Sequence, residues 1–414
     1  MAKRVWLHHI HTPLGVRTVQ DSVSYCTRCG MCAAVCPVYT LSPREDHSPR
    51  GRNQAFRLLL EGKLSLERDH DALAKIALSC TLCGRCTRAC PGKIPTAEHM
   101  LELRRRLGIH LLPLTMFFVL CLRETSPRLF ALLMRVGLKL KTVGLWRVAA
   151  LVPGWNWLEK MAHWLPQRAK APFRAMPENN PTLIYLPSLE AEFLMPHLAQ
   201  SVYRTACKQY RPAVWTNTPT GLLEYIDGNL ARARNIMRRL IIRHQHTGNG
   251  RLPIVTDSAS IYHFLRQAPQ LFDGFTRYQQ KAQHFASCVR FVTDILPKKP
   301  SKKEDFLKPV SLQNTAFLIQ DETLVSGTTE ILHTLFKKNF VQCGYKDADL
   351  PPFASGFVNL RSAQPLALAT VRTAASHQVQ TVFVLDGLAA LELDYYFRRF
   401  YPTARAYHIA QLNG

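Results

Sequence analysis

The stretches CTRCGMCAAVCP, residues 26–37, and CTLCGRCTRACP, residues 80–91, decide the architecture of this chain. Both place four cysteines at the spacing C-x2-C-x2-C-x3-C and follow the last cysteine with a proline. Three thiolates at successive steps of three residues can surround one [4Fe–4S] cube, and the proline then turns the chain away. The two motifs hold eight of the twelve cysteines, so the sequence predicts a carrier of two [4Fe–4S] clusters.

The ligand sets follow from the spacing rule for proteins with two such motifs. In these proteins the fourth cysteine of each motif ligates the cluster of the other motif. The predicted ligands of the first cluster are Cys26, Cys29, Cys32 and Cys90, and those of the second are Cys80, Cys83, Cys86 and Cys36. This exchange ties the two motifs together and keeps the clusters close enough for electron transfer.

Zinc and disulfides are the alternatives for these cysteines. Zinc sites use paired C-x2-C knuckles, and a third cysteine at the same step followed by x3-Cys-Pro does not fit that pattern. Disulfides belong to oxidising compartments, whereas residues 1–6 are basic and no apolar signal-peptide segment follows them. We therefore expect thiolate ligands in a reducing compartment, the cytoplasm.

The net charge of +24 over 414 residues favours an anionic partner, either an acidic protein or an anionic lipid surface. Nucleic acid is not favoured, because no helix-turn-helix, zinc-finger, RRM or KH signature occurs. Residues 101–176 hold 13 Lys or Arg against 3 acidic residues, among many Leu, Phe, Met and Trp. The apolar run 111–122 is too short to span a bilayer. The pattern predicts basic amphipathic helices, which lie either on a membrane surface or against protein.

The rest of the chain predicts further domains. The 43 residues between the motifs contain a helical pattern, which indicates a ferredoxin built of helices. After the proline-rich segment 166–181, short β-rich runs alternate with helical patterns, and the alternation repeats beyond residue 301. We expect an α+β multidomain chain. Its predicted parts are a helical dicluster ferredoxin domain (1–110), a basic helical connector (111–176) and two α/β repeats (177–300 and 301–414).

At this point the chain resembles the iron–sulfur subunit of bacterial glycolate oxidase. The resemblance rests on both motifs, on Pro49-Arg50-Gly51-Arg52 between them, and on Leu60-Glu61-Gly62. Similar subunits occur in lactate-utilisation complexes, anaerobic glycerol-3-phosphate dehydrogenase and heterodisulfide reductase. The resemblance implies a helical two-cluster ferredoxin domain and two cysteine-rich α/β repeats. It also implies a partner subunit containing FAD, which oxidises a 2-hydroxy acid and whose electrons pass toward quinone.

The repeats depart from the family because they lack its cysteines. The place of a Cys-Cys-Gly element reads Pro351-Pro352-Phe353, so we expect no cluster there. The acids at predicted strand ends are either a retained ligand site or, the reading we favour, solvated loop acids. These acids are Asp257, Asp321, Glu322 and Asp386. The scattered cysteines are expected to be small buried apolar residues. They are Cys121, Cys207, Cys288 and Cys343.

The function predicted from these features is electron transfer without catalysis by this chain. No G-x-G-x-x-G fingerprint occurs, so we expect neither flavin nor NAD in this chain and assign hydride chemistry to a partner. The expected location is peripheral, on the inner face of the cytoplasmic membrane. The alternative function is a redox adaptor or scaffold without a dehydrogenase partner, which the loss of cysteines from the repeats suggests.

Overall fold

The computed structural model describes residues 6–110, 121–142, 173, 178–295, 315–318, 340–343 and 360–413. Within these residues the protein is a mixture of helices and parallel sheets, and the N-terminal part is predominantly helical. The α+β class predicted from the sequence is thereby confirmed at this coarse level. The division into four domains at residues 110, 176 and 300 stays a prediction.

The N-terminal part begins with a hairpin of β1 (His9–Thr12) and β2 (Gly15–Thr18), which is followed by six helices. These helices are α1 (Val19–Ser24), α2 (Pro37–Leu41), α3 (Pro49–Leu60), α4 (His70–Ser79), α5 (Arg85–Ala89) and α6 (Thr96–Leu107).

Helix α3 begins at two residues that favour a helix N-terminus. The Ser48 hydroxyl accepts a hydrogen bond from the Gly51 amide at 2.9 Å, and Pro49 occupies the first helical turn, where no amide is needed. Phe56 of α3 is fully buried against His99 of α6, with ring centroids 5.6 Å apart. Asn53 Oδ1 and Ser22 Oγ lie 2.9 and 2.7 Å from the two nitrogens of that imidazole, so α1, α3 and α6 are joined by one buried polar network.

Helix α7 (Pro127–Thr142) forms most of the described part of the predicted connector. Phe130 and Leu138 on one side of this helix are buried against the protein, which anchors it to the sheet region. No helix among the described residues is long and apolar enough to cross a bilayer.

The first parallel sheet contains four strands in the spatial order β4-β3-β5-β6. Its strands are β3 (Leu183–Leu186), β4 (Pro212–Val214), β5 (Ile254–Thr256) and β6 (Val289–Phe291). A single π-helical turn, Glu190–Leu194, follows β3. The helices of this region are α8 (Pro196–Cys207), α9 (Leu222–Ile226), α10 (Leu230–His246), α11 (Ala259–Arg266), α12 (Ala268–Leu271) and α13 (Thr276–Cys288).

The second parallel sheet has the same topology. Its strands lie in the order β8-β7-β9-β10, so in both sheets the first strand is central and the second strand is at the edge. The strands are β7 (Thr315–Leu318), β8 (Phe340–Cys343), β9 (Thr381–Val384) and β10 (Arg405–His408), and the helices are α14 (Leu360–Ser376) and α15 (Gly387–Phe400). Two units of equal strand order are the product expected of an internal duplication.

The two sheets are joined through a common hydrophobic core. Tyr185 of β3 and Phe383 of β9 both belong to it and both are fully buried. Main-chain contact reinforces the junction, because the amide of Ala259 donates to the carbonyl oxygen of Leu385 at 3.2 Å. The carboxyl ends of β5 and β9 therefore meet between the two sheets.

Candidate iron–sulfur site

The two cysteine motifs have left-handed residues at matching positions. The first lies between α1 and α2, and the second between α4 and α6. In the first motif Arg28 and Gly30 have φ values of +60° and +86°, and in the second Leu82 and Gly84 have +59° and +71°. These residues occupy equal positions in the two motifs. Left-handed residues at matching places allow the same sharp turn at the start of both loops.

The exposed cysteine group consists of Cys26, Cys29, Cys32 and Cys90. Burial raises the pKa of the Cys32 thiol to about 11, and the neighbouring thiols of Cys26, Cys90 and Cys29 raise it further. Cys29 is exposed, and the other three cysteines are half-buried. Tyr25 and Met31, next to these cysteines in the sequence, are 60% and 54% exposed, and we call these two side chains the apolar rim of the group.

The buried cysteine group consists of Cys36, Cys80, Cys83 and Cys86. Burial raises the pKa of Cys86 well above its usual value, and the thiols of Cys83, Cys80 and Cys36 act in the same direction. Cys36, Cys80 and Cys86 are buried, which distinguishes this group from the exposed one. Cys36 thus lies with the cysteines of the other motif. The neighbours of Cys32 and of Cys86 each include a cysteine of the other motif, and the two predicted ligand sets stay predictions.

Two buried arginines contact the buried cysteine group. Arg52 of α3 points its Nη1 at Cys36 Sγ, 3.6 Å away, and donates from Nη2 to Ser79 Oγ at 2.9 Å. Arg104 of α6 donates from Nη2 to the carbonyl oxygen of Cys80 at 2.7 Å. Both side chains are almost completely inaccessible to water.

These arginines provide a test of whether an anionic cluster fits. Burial lowers the pKa of Arg104 to about 10, while the nearby Cys80 raises it, so the guanidinium stays charged at neutral pH. Arg104 Nη1 is buried without a hydrogen-bond partner. None of the described hydrogen-bond partners of Arg52 and Arg104 is a carboxylate. Buried charge without a counter-ion is costly, so thiolates around an iron–sulfur cube, with their negative charge, fit this place.

No three His, Cys, Asp or Glu side chains converge on a single metal ion within the residues that the structure describes. A cubane cluster does not need such convergence, because its thiolates bind separate irons at the corners of a cube.

Sequence reasoning missed the arginines. Arg52 stood in the Pro-Arg-Gly-Arg segment that carries the family resemblance, but its contact with Cys36 joins residues 16 apart in sequence and depends on how α3 packs. The available signal was an arginine in a helix of the spacer, on the side where Asn53 and Phe56 are also buried.

A second polar cluster lies between the two sheets, and it corrects one expectation. Asp257 and Asp386 are 1% and 4% exposed, so the reading of these residues as solvated loop acids is wrong. Asp257 accepts from the Tyr185 hydroxyl at 2.5 Å, and Asp386 accepts from the hydroxyls of Ser258 and Ser260 at 2.5 and 3.0 Å. Burial, which is stronger here than the stabilising hydrogen bonds, raises the pKa of both carboxyls, that of Asp386 to about 6. The other two acids, Asp321 and Glu322, lie outside the described residues.

The scattered cysteines also differ from expectation. Cys207 at the end of α8 is exposed, so its assignment as a small buried residue is wrong. Cys121 and Cys288 are half-buried, and Cys343 lies in strand β8. The error at Cys207 arises because this residue lies on the exposed side of α8 with His197 and Arg204, whereas Thr205 and Ala206 of the same turn are buried.

Comparison with known proteins covers the N-terminal part of the chain. A family profile described as "4Fe-4S dicluster domain" matches residues 22–94, which include all eight cysteines of the motifs. Lactate utilization protein B of Macrococcus caseolyticus (strain JCSC5402) is 36% identical over 88 residues, 20% of this chain and 17% of that protein. The probable glycolate oxidase iron-sulfur subunit of Bacillus subtilis (strain 168) is 35% identical over 80 residues, 19% of this chain and 17% of that protein.

The matched segment spans less than a fifth of each of these relatives. No solved structure matches the chain. The resemblance predicted from the motifs is therefore confirmed for the N-terminal part: residues 22–94 carry a 4Fe-4S dicluster domain similar to those of lactate-utilisation and glycolate oxidase iron–sulfur proteins.

Proposed function

We propose that this protein is a non-catalytic electron-transfer subunit, which receives electrons from an FAD-containing dehydrogenase of a 2-hydroxy acid and passes them toward quinone. The observation that supports the proposal is that the thiols near Cys32 include Cys90 and those near Cys86 include Cys36, so that each motif has a cysteine beside those of the other. Each set would hold one [4Fe–4S] cluster, which accepts and releases a single electron. The names of the relatives support the 2-hydroxy acid, since they refer to lactate and glycolate.

The exchange of ligands gives the proposal a sharp test. The single variants Cys36→Ala and Cys80→Ala should each lose half of the bound iron, because both cysteines serve the buried group. The double variant should lose no more than either single variant, and its remaining EPR signal should be intact. If each motif instead binds its own cluster, the double variant loses both clusters. Cys207→Ala, which alters an exposed cysteine far from the motifs in sequence, is the matched control and should keep all its iron.

The partner dehydrogenase would meet the exposed cysteine group. Electron transfer between proteins needs a short path, and Cys29 is exposed within a rim that includes Tyr25 and Met31. The proposed domain limits are those predicted from the sequence, with residues 1–110 as the electron-carrying part.

The test of the partner is anaerobic purification of the tagged protein from its native membranes, read by mass spectrometry and flavin absorbance. A stoichiometric flavoprotein supports the proposal. Clusters without a flavoprotein would favour the adaptor function instead.

Helix α7 supports attachment to an anionic membrane surface. Successive residues of a helix are about 100° apart, which places five exposed apolar side chains on one face, with the buried Leu138 opposite and the buried Phe130 to one side. The five are Leu129, Leu132, Leu133, Val136 and Leu140, each between 38% and 54% exposed. A basic flank adjoins this face, formed by Arg128, Arg135 and Lys139. An apolar face with a basic flank suits the interface of a membrane with anionic lipids.

The membrane proposal is tested by sedimentation with lipid vesicles. The holoprotein should bind vesicles that contain anionic lipid and should bind purely zwitterionic vesicles much less. Leu132→Glu should abolish this binding, whereas Leu14→Glu, the same change at an exposed leucine of the β1–β2 turn, should leave it unchanged. Equal binding by the two variants would refute the proposal that α7 binds the membrane. The exposed face of α7 would then be expected to contact a protein partner.

A further inference from the structure

We infer that Arg52 and Arg104 set the order of the two reduction potentials, so that an electron received at the exposed cysteine group moves on to the buried group. The inference deepens the proposed function and rests on both groups holding [4Fe–4S] clusters. It assigns an electrostatic role to two residues that touch the ligands of one group and leave the other group untouched.

The contacts of the two guanidinium groups are one-sided. Arg52 approaches Cys36 Sγ to 3.6 Å, and Arg104 donates to the carbonyl oxygen of Cys80 at 2.7 Å. Both cysteines belong to the buried group. The positive charges are held in place by further hydrogen bonds, from Arg52 to Ser79 and from Arg104 to the carbonyl oxygen of Ala77. They are therefore fixed charges, and each lies directly beside a predicted ligand.

The exposed group has a different arginine beside it. Arg50 is so near that a Cβ added to Gly30 would lie 3.1 Å from its Nη1. However, Arg50 is at the surface and forms a two-pronged ion pair with Glu45, at 2.8 and 3.1 Å. Its charge is thus largely neutralised by the carboxylate and screened by water and salt. The two cysteine groups have equal ligands and unequal electrostatic surroundings.

Burial and positive charge act on the potential in opposite directions. Reduction adds a negative charge, and the loss of water around a buried cluster makes that charge less favourable, which lowers the potential. A guanidinium in contact with a ligand residue stabilises the added charge. Because little water surrounds the buried group, the local dielectric constant is low and this attraction is only weakly screened. Two guanidiniums without a carboxylate partner among the described residues therefore outweigh the effect of burial. The buried group has the higher potential.

The direction of transfer follows from this order. In the proposed complex a reduced flavin of the partner subunit would supply one electron at the exposed face, where Cys29 and its apolar rim are accessible. Transfer inward would oxidise the exposed site by one electron as it reduced the buried site. Arg52 and Arg104 would thereby hold the electron away from the face through which it entered.

The test is an anaerobic redox titration of the full-length holoprotein, followed by EPR. A water-soluble gadolinium chelate identifies the exposed cluster, because it speeds the relaxation of the signal nearest to solvent. We expect the higher midpoint potential at the cluster that the chelate affects less. Arg52→Gln should lower that midpoint and leave the other unchanged, Arg52→Lys should restore most of the shift, and the control Arg50→Gln should shift neither midpoint appreciably.

Each outcome bears on one of the two proposals. A lower midpoint at the buried cluster, or equal shifts of both midpoints in Arg52→Gln, overturns the role of the arginines while two clusters remain established. A wild-type protein without two reducible [4Fe–4S] signals overturns the proposed function itself. If Arg52→Gln fails to retain its clusters, the order of the wild-type midpoints and the Arg52→Lys variant still decide the inference.

Discussion

Glu190, in the π-helical turn after β3, should make the stability of the sheet region depend on pH. Its side chain is 7% exposed and lies close to Gly387 at the start of α15, where an added Cβ would be 2.6 Å from Glu190 Cγ. Burial raises the pKa of this carboxyl to about 8, and the neighbouring carboxylates Asp257 and Asp386 contribute to the rise. At neutral pH the folded protein therefore holds a proton on Glu190 that the unfolded chain has released.

The sign and size of the effect follow from proton linkage. A carboxyl whose pKa is raised on folding contributes stability that is complete below its unfolded pKa, near 4.5, and is lost as pH rises through about 8. Within this window the folded state binds one more proton than the unfolded state, which corresponds to about 1.4 kcal/mol per pH unit. Between pH 5.5 and 7.5 the free energy of unfolding should fall by about 2.5 kcal/mol because of Glu190 alone.

The perturbation that isolates this contribution is Glu190→Gln, which keeps a neutral side chain of the same shape. Urea unfolding of the anaerobic holoprotein, followed by far-UV circular dichroism at pH 5.5, 6.5 and 7.5, gives the free energies. Cluster absorbance reports separately on the N-terminal part. The difference between variant and wild type should grow with pH, in favour of the variant. Parallel pH profiles of the two proteins would refute a protonated Glu190 between the sheets.

Two further predictions concern the N-terminal part and its contact with the first sheet. Gly51→Ala should destabilise the protein by about 3 kcal/mol and reduce its iron content, because the new Cβ would lie 2.0 Å from the carbonyl oxygen of Glu45. The control is Gly62→Ala, where no atom lies within 4 Å of the new Cβ. It should cost about 1 kcal/mol, because Gly62 has a positive φ. Tyr225→Phe should cost about 1–3 kcal/mol in urea unfolding, because the buried Glu98 carboxyl loses its 2.6 Å hydrogen bond, and an unchanged midpoint would contradict that contact.

The cysteine groups could be predicted from the sequence because their chemistry is encoded locally. Ligand spacing within each motif restricts the loop, and the rule for the fourth cysteine supplies the one long-range relation that is needed. Strand positions could be predicted for a similar reason. The run 254–257, for example, is a short β-branched segment after a helical pattern, and β5 covers Ile254–Thr256. Within each cysteine motif and within each strand, the sequence pattern that allows the prediction lies within a dozen neighbouring residues.

The acids between the sheets could not be predicted in the same way. An aspartate after a strand has the composition of a surface loop, and its burial at Asp386 depends on Ser258 and Ser260, 128 and 126 residues away. Asp257 likewise depends on Tyr185, 72 residues away. A polar residue is stable in a core only when partners arrive from other elements. The sequence pattern around each aspartate does not reveal these distant partners, which come together only when the two sheets pack.

Helices outside the two motifs contribute to the difference between the two cysteine groups. Both motifs have the same spacing and the same left-handed turns. Inside the second motif the buried Arg85 acts on Cys83, where the first motif has Met31, and residues outside the motifs add a further difference. Helices α3 and α6 supply it, since Arg52 and Arg104 reach the cysteines of only one group. A compact ferredoxin without the helical spacer would lack α3 and, with it, Arg52. If the inferred order of potentials holds, the spacer between Cys36 and Cys80 would help to make the two cysteine groups an ordered pair with a preferred direction for the electron.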